Sequence, residues 1–255
     1  TENINARWRG KAFAELDTEE KRRIRSSTIH AIIFEQKHPR NDTGMFQIFE
    51  RINTGGRTLK AQEIRNCVYQ GKCNDLLFEL NKHDSWRKIL GLNVEDSRMA
   101  DLELILRYFA MRDLHIRNEG QLKQINLAKY LNKYMGDKTN STGEDILDMK
   151  QDFITMIDKV FELLGKNAFK NLKKESENFA SKINPAIFDA ISVATSYAIK
   201  TEYKFTEGNY LEKYKRLLKN EEFHRASSSR TTNIENIKTR IQIAAEFLYG
   251  VTYEW

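Results

Sequence analysis

Between Phe49 and Asn66 the chain places two consecutive glycines, Gly55 and Gly56, among fixed polar groups: Arg51 and Asn53 before them, Glu63 and Arg65 after them. Glycine takes positive φ without steric cost, so a Gly-Gly pair can turn adjacent backbone N–H groups into one concavity. Where a helix starts just beyond, that concavity attracts anions, phosphate among them. Asn53-Thr-Gly-Gly56 is equally good chemistry for a plain turn between two helices. Both readings stand on the residues alone.

The elements that must position this segment follow from periodicity. Met45, Ile48, Phe49 and Ile52 recur at helical spacing and predict a buried helical face running into the loop. Thr58 is an N-cap candidate, and Leu59, Ala61, Ile64 and Val68 are the apolar positions of the next helix.

The order Phe49, Arg51, Asn53, Gly55, Gly56, Leu59, Glu63, Ile64, Arg65, Asn66 resembles the second signature of the ParB/sulfiredoxin-like domain found at the N-terminal side of GmrSD-type modification-dependent restriction endonucleases. The resemblance is strong over 42 to 70 and loose elsewhere. It implies a nucleotide site using Arg51, Asn53, Gly55, Gly56, Glu63 and Arg65, with Arg107 reaching toward it from a helical domain. It also implies a nucleoside triphosphate, with Mg, in the full-length protein. The family's upstream elements, an Ile-x-x-Tyr-Gln-Arg and an Asp-Gly-Gln-Gln-Arg, have no counterpart here. Glu119-Gly-Gln-Leu-Lys123 lies after the glycines and lacks the aspartate and arginine. The expectation is therefore that an upstream half belongs to the natural protein, and that this chain alone binds no nucleotide cofactor. Implied partners are DNA, modified phage DNA in particular, together with that half or an associated nuclease subunit.

Composition sets the class. The 255 residues, 40% hydrophobic, are enough to bury a core, and only two prolines interrupt a chain rich in Leu, Ile, Lys and Glu. No apolar run reaches the ~20 residues a bilayer crossing needs and no secretion signal is evident, which predicts a cytoplasmic protein without membrane contact. Cys67 and Cys73 lack metal-ligand spacing, and the five histidines are scattered. No His-Asn-His constellation exists, and Asp189 with Glu202-x-Lys204 falls on a helical pattern instead of the strand that a PD-(D/E)xK nuclease uses. The formal charge of +6 is concentrated around Arg22 and Arg23, at Lys166 to Lys174 including Lys170, and at Arg225 and Arg230. Each is either a solvated face or part of a nucleic-acid-binding surface.

Beyond the glycines the pattern is helical. Apolar stripes run through Leu76/Leu77/Leu80, Trp86/Ile89/Leu90 and Leu102/Ile105/Leu106/Phe109. A long stripe extends from Ile146 to Leu164, capped by Thr142, and others cover Ile187 to Ala194 and Ile234 to Leu248. Asp17-x-x-Glu20 and Thr232-x-x-Glu235 read as capping boxes, and Asn184-Pro185 as N-cap and N1. Glu103 and Arg107 have intrahelical ion-pair spacing, while Arg240 borders a buried face. Thr28 to Phe34 is the best strand candidate, and Lys138 to Gly143 and Glu221 to Thr231 read as loops.

The expected fold is mainly α: residues 1–70 as the closing portion of a ParB-like nucleotide-binding domain (strand plus helix, Gly-Gly turn, helix) and 71–255 as a multi-helical domain. The expected function is the C-terminal part of a nucleotide-sensing DNA-recognition subunit of an anti-phage restriction system. The alternative is a non-enzymatic helical scaffold without nucleic-acid contact. If the glycine segment holds phosphate, Asn53→Ala or Gly56→Val in a protein carrying the upstream half should abolish nucleotide hydrolysis, because valine resists positive φ and fills the concavity. Wild-type hydrolysis by a Gly55/Gly56 double mutant that stays folded by circular dichroism would reduce the signature to a turn.

Overall fold

A computed structural model describes residues 7–28, 48, 51, 58–92, 94–114, 123–173 and 176–255. Asn53, Gly55, Gly56, Phe49, Ile52 and all but the first residue of the expected strand at Thr28 to Phe34 lie outside them. The described residues are mainly helical, with eleven α-helices and one two-stranded sheet. The backbone divides into two compact units, Thr1–Lys37 and His38–Trp255.

In the first unit, helix α1 (Thr18–Ser26) starts where the capping box predicts. The Asp17 carboxylate accepts the Glu20 N–H at 2.8 Å, satisfying a donor that the first turn cannot pair internally. Arg22 and Arg23 stand exposed on α1, and Arg23 pairs with Glu19 one turn back at 3.3 Å.

The second unit is built around a helix buried on nearly every side. Its helices are α2 (Ala61–Val68), α3 (Lys72–Asn81), α4 (Asp84–Leu90), α5 (Ala100–Arg112), α6 (Leu127–Lys138), α7 (Gly143–Leu164), α8 (Pro185–Lys200), α9 (Tyr210–Lys219), α10 (Glu221–Ser228) and α11 (Ile234–Tyr249). Helix α8 packs against α5, α7 and α11, and ten consecutive residues from Ala186 to Thr195 are buried. A helix apolar all round belongs in a core, and Ala190, Ser192 and Ala194 let its neighbours approach closely. Asn184 launches it by accepting the Ala186 N–H at 2.9 Å, with Pro185 at the first helical position. Trp86, fully buried, lies against Phe153 of α7 and Phe188 of α8, its indole N–H donating to Asn81 Oδ1 at 3.0 Å. Helix α7 begins at the Thr142 cap and buries Met149, Phe153, Met156, Ile157, Val160 and Leu164 as its periodicity requires.

Several local expectations are corrected. Ile48 and Arg51 are helical, but Ile48 is 41% exposed and so does not face a core. Helix α2 is capped at Lys60 instead of Thr58, because the Glu63 carboxylate reaches back to accept the Lys60 N–H at 2.6 Å. Thr232 does not cap α11. Its carbonyl accepts the Ile125 N–H at 3.0 Å and the Ile234 N–H donates to Lys123 O at 3.1 Å, so the backbone there pairs with a neighbouring segment. The first eight residues of the supposed loop from Glu221 form α10, with Asn220 capping Phe223 at 2.9 Å and Phe223 buried. The chain beyond the glycines is also not purely helical: β1 (Lys170–Leu172) pairs antiparallel with β2 (Phe179–Ile183). Phe169 enters this hairpin at φ +64°, an unfavourable backbone that its ring offsets by burial 4.7 Å from Phe188.

Phe153→Ala should cost about 3–5 kcal/mol in denaturant unfolding, through lost transfer energy and a cavity between α4, α5 and α7. Leu147→Ala on the same helix, 63% exposed, should change stability by no more than about 0.5 kcal/mol.

Candidate functional site

Two places collect charge in the second unit, one inside it and one on its surface. The internal one begins at α2. Arg65 is 1% exposed, its Nε donating to Asn132 Oδ1 of α6 at 2.7 Å and its Nη1 to Gln62 Oε1 at 3.0 Å and to Glu103 Oε2 of α5 at 2.9 Å. Burial lowers its pKa and Glu103 opposes that shift. Thr58, two residues beyond Gly56, gives its carbonyl to Arg98 Nη2 at 2.7 Å, and Arg98 Nε lies 3.0 Å from Glu63. The downstream edge of the glycine signature is thereby tied to the residues just ahead of α5, and α2 to α5 itself through Arg65 and Glu103.

One turn along α5 from Glu103, Arg107 forms a two-pronged pair with Asp189 of α8, Nε to Oδ1 at 3.1 Å and Nη2 to Oδ2 at 2.6 Å. Arg240 of α11 donates Nη2 to the same Asp189 Oδ2 at 3.1 Å and Nη1 to the Thr231 carbonyl at 2.7 Å. Asp189 has no exposed surface. Burial works against the charge of Arg107, but Asp189 outweighs it and raises the pKa. For Arg240 burial dominates and lowers it, with repulsion from Arg107 adding to the effect. Three guanidinium groups thus face two carboxylates, Glu103 and Asp189, and donors exceed acceptors. Accordingly Arg240 Nε and Gln62 Nε2 are buried with no acceptor among the described residues.

The intrahelical pair expected of Glu103 and Arg107 is replaced by these cross-helix pairs, since the interior supplies each with a better-desolvated partner. Arg65 and Arg107, expected at phosphate, direct their guanidinium groups into the helical interior. Glu63 is held by Arg98, and Arg51 is exposed on its helical turn.

The surface collection is a cleft of about 540 Å³ lined by Lys166, Lys170, Lys173 and Lys215 together with Glu177, Asn178 and Phe179. Lys170 Nζ donates to the Lys166 carbonyl at 2.7 Å, and burial together with Lys166 lowers its pKa. The hairpin carrying it is anchored from beneath, where the buried Tyr214 hydroxyl donates to the Lys170 carbonyl at 2.8 Å and its ring stacks on Phe179. Glu177 is engaged by Lys219 and lies 3.9 Å from Lys215, which holds its carboxyl below the usual range. Lys215 was not singled out in the sequence; its only local signal is a position on the polar side of α9. Arg225 is exposed on α10, 3.9 Å from Glu222, and Arg230 follows at φ +46°. Neither lines the lysine cleft.

Asp189→Ala should cost about 3–5 kcal/mol, because it leaves two buried guanidinium groups without their carboxylate. Arg107→Met should cost less, since it leaves Asp189 and Arg240 matched one to one. Equal losses in chemical denaturation would show that the charge surplus has no energetic weight.

Comparison with known proteins returned no matching protein family, no matching curated protein and no matching solved structure.

Proposed function

We propose that this chain is the phosphate-contacting helical part of a nucleotide-sensing, DNA-recognition subunit similar to the ParB/sulfiredoxin-like component of GmrSD-type restriction systems, acting against phage DNA. The family reading rests on Phe49 to Asn66, and nucleotide binding is assigned to Arg51, Asn53, Gly55 and Gly56 together with upstream residues. The observation that carries nucleic-acid contact is the lysine cleft, in which Lys166, Lys170, Lys173 and Lys215 share one wall with, among the described lining residues, a single carboxylate, Glu177; Lys215 also pairs with Glu212 at 2.8 Å. Lys166 and Lys170 repel each other, and an anionic backbone with its counterions released relieves that repulsion. Arg65 and Arg107 serve as frame, fixing the signature helix to the helical core.

The scaffold reading has its own support: Arg65 and Arg107 are internally paired, and Arg225 and Arg230 lie away from the cleft. Among the described residues no helix is long and apolar enough to cross a membrane.

Duplex DNA affinity measured from low to physiological salt separates the two. On the DNA reading it falls linearly on logarithmic axes, and Lys170→Glu with Lys173→Glu reduces the slope by about 2 while weakening every sequence alike. No binding at low salt, or binding indifferent to these changes, favours the scaffold.

A further inference from the structure

The lysine cleft is lined by two unlike kinds of surface. The first is cationic, supplied by Lys166, Lys170 and Lys173. Lys170 gives one proton to the Lys166 carbonyl at 2.7 Å, which leaves two of its three donors for an anion. Lys166 and Lys173 are exposed and enter no ion pair among the described residues. Lys215 differs, because it pairs with Glu212 at 2.8 Å and stands 3.9 Å from Glu177, which Lys219 also engages. The positive charge left for a ligand therefore sits on the three lysines between 166 and 173.

The second surface is apolar, and Phe179 and Leu211 supply it. The Phe179 ring is half-buried and lies nearly parallel to Tyr214, with 8° between planes and 5.8 Å between centroids. At that separation parallel rings are offset, so Tyr214 covers only part of Phe179. Tyr214 is fully buried, and its hydroxyl donates to the Lys170 carbonyl at 2.8 Å. One contact thus ties the parallel ring pair to the backbone of a cleft lysine. Phosphates on a duplex need only the lysines, since the bases are stacked inside and their faces are covered. A half-buried aromatic ring beside phosphate-binding cations matches a nucleotide whose base has a free face. Asn167 and Asn178 also line the cleft, and their amides offer a donor and an acceptor to a base edge. A cleft of about 540 Å³ takes a small molecule or one residue of a polymer, not a double helix.

We infer that the lysine cleft holds an unpaired nucleotide of a single strand, its base stacked on Phe179 and its phosphate on Lys166, Lys170 and Lys173. The inference rests on the nucleic-acid contact proposed above and narrows it, from any phosphate backbone to a strand whose bases are open. Stacking tolerates every base, so the cleft selects unpaired structure and not sequence.

Oligothymidylate and an abasic strand of the same length carry equal phosphate charge and differ only in their bases. By fluorescence anisotropy at low salt, oligothymidylate should bind about tenfold more tightly, the scale of one stacked base. Phe179→Leu keeps an apolar side chain against Tyr214 and should bring the two strands within about twofold of each other, whereas Lys173→Glu should weaken both alike. A strand carrying 5-iododeoxyuridine, photocrosslinked to the unaltered protein and followed by peptide sequencing, should mark Phe179 and needs no variant. Equal affinity for the thymidylate and abasic strands, alongside salt-dependent duplex binding, would overturn the unpaired-base assignment and leave the phosphate contact standing. No binding of any strand at low salt would remove both. A crosslink away from Phe179, or a base preference that survives Phe179→Leu, would also overturn the assignment. So would displacement of the strand by a phosphotyrosine peptide at concentrations where thymidine monophosphate has no effect, which would give the cleft to a phosphorylated protein.

Discussion

Asp189 is a carboxylate on the most buried helix of the molecule, and the surrounding helices are arranged so that this can be tolerated. An unpaired charge in such a place would cost several kcal/mol, comparable with the whole stability of a domain. Arg107 from α5 and Arg240 from α11 converge on it from two sides, and their own charges are acceptable in the interior only because Asp189 is there. The contact therefore joins three helices that apolar packing alone could slide past one another, and it sets their register in a way that non-directional burial does not. Its surplus of positive charge is left uncompensated by burial, and the orphaned Arg240 Nε is its visible consequence.

From this frame the two surface features take their places. Helix α5 carries Glu103 and Arg107 toward α2 and α8, with Arg98 just ahead of its start, and ends at Arg112 beside the cavity lined by Tyr253 and Trp255. The same element thus holds α2 through Glu103 and, at its other end, forms a wall of a surface cavity. The lysine cleft is separately supported, its hairpin held by the Tyr214 hydroxyl and by Phe169 packed on Phe188. Hairpins of this length are marginal alone, and here the helical core supplies the stability the strands lack.

The helices were legible because their signals are local. Stripes at 3.6-residue spacing and caps such as Thr142, Asp17 and Asn184 involve residues within a few positions of one another, and the structure follows them closely. Where a local signal failed, a distant partner had intervened. Thr232 reads as a capping residue, but its backbone pairs with Ile125, about a hundred residues earlier. The hairpin at Lys170 to Ile183 was missed because three- and five-residue strands carry too little alternation to stand out beside a lysine run.

By itself the sequence determined the helical class, the apolar faces of the long helices and the helix starts at Asp17, Thr142 and Asn184, since each depends on spacing along a few turns of chain. Tertiary structure alone decided which partners the charged groups take. Arg65 and Glu103 are 38 residues apart, Arg240 and Asp189 are 51 apart, and Arg107 and Asp189 are 82 apart. At such separations every arginine has many possible carboxylates, and the choice is made by which helix faces become buried together. Lys215 joins Lys166, Lys170 and Lys173 for the same reason. Coulomb attraction and repulsion act through space, and only the packed core specifies the distances on which they depend.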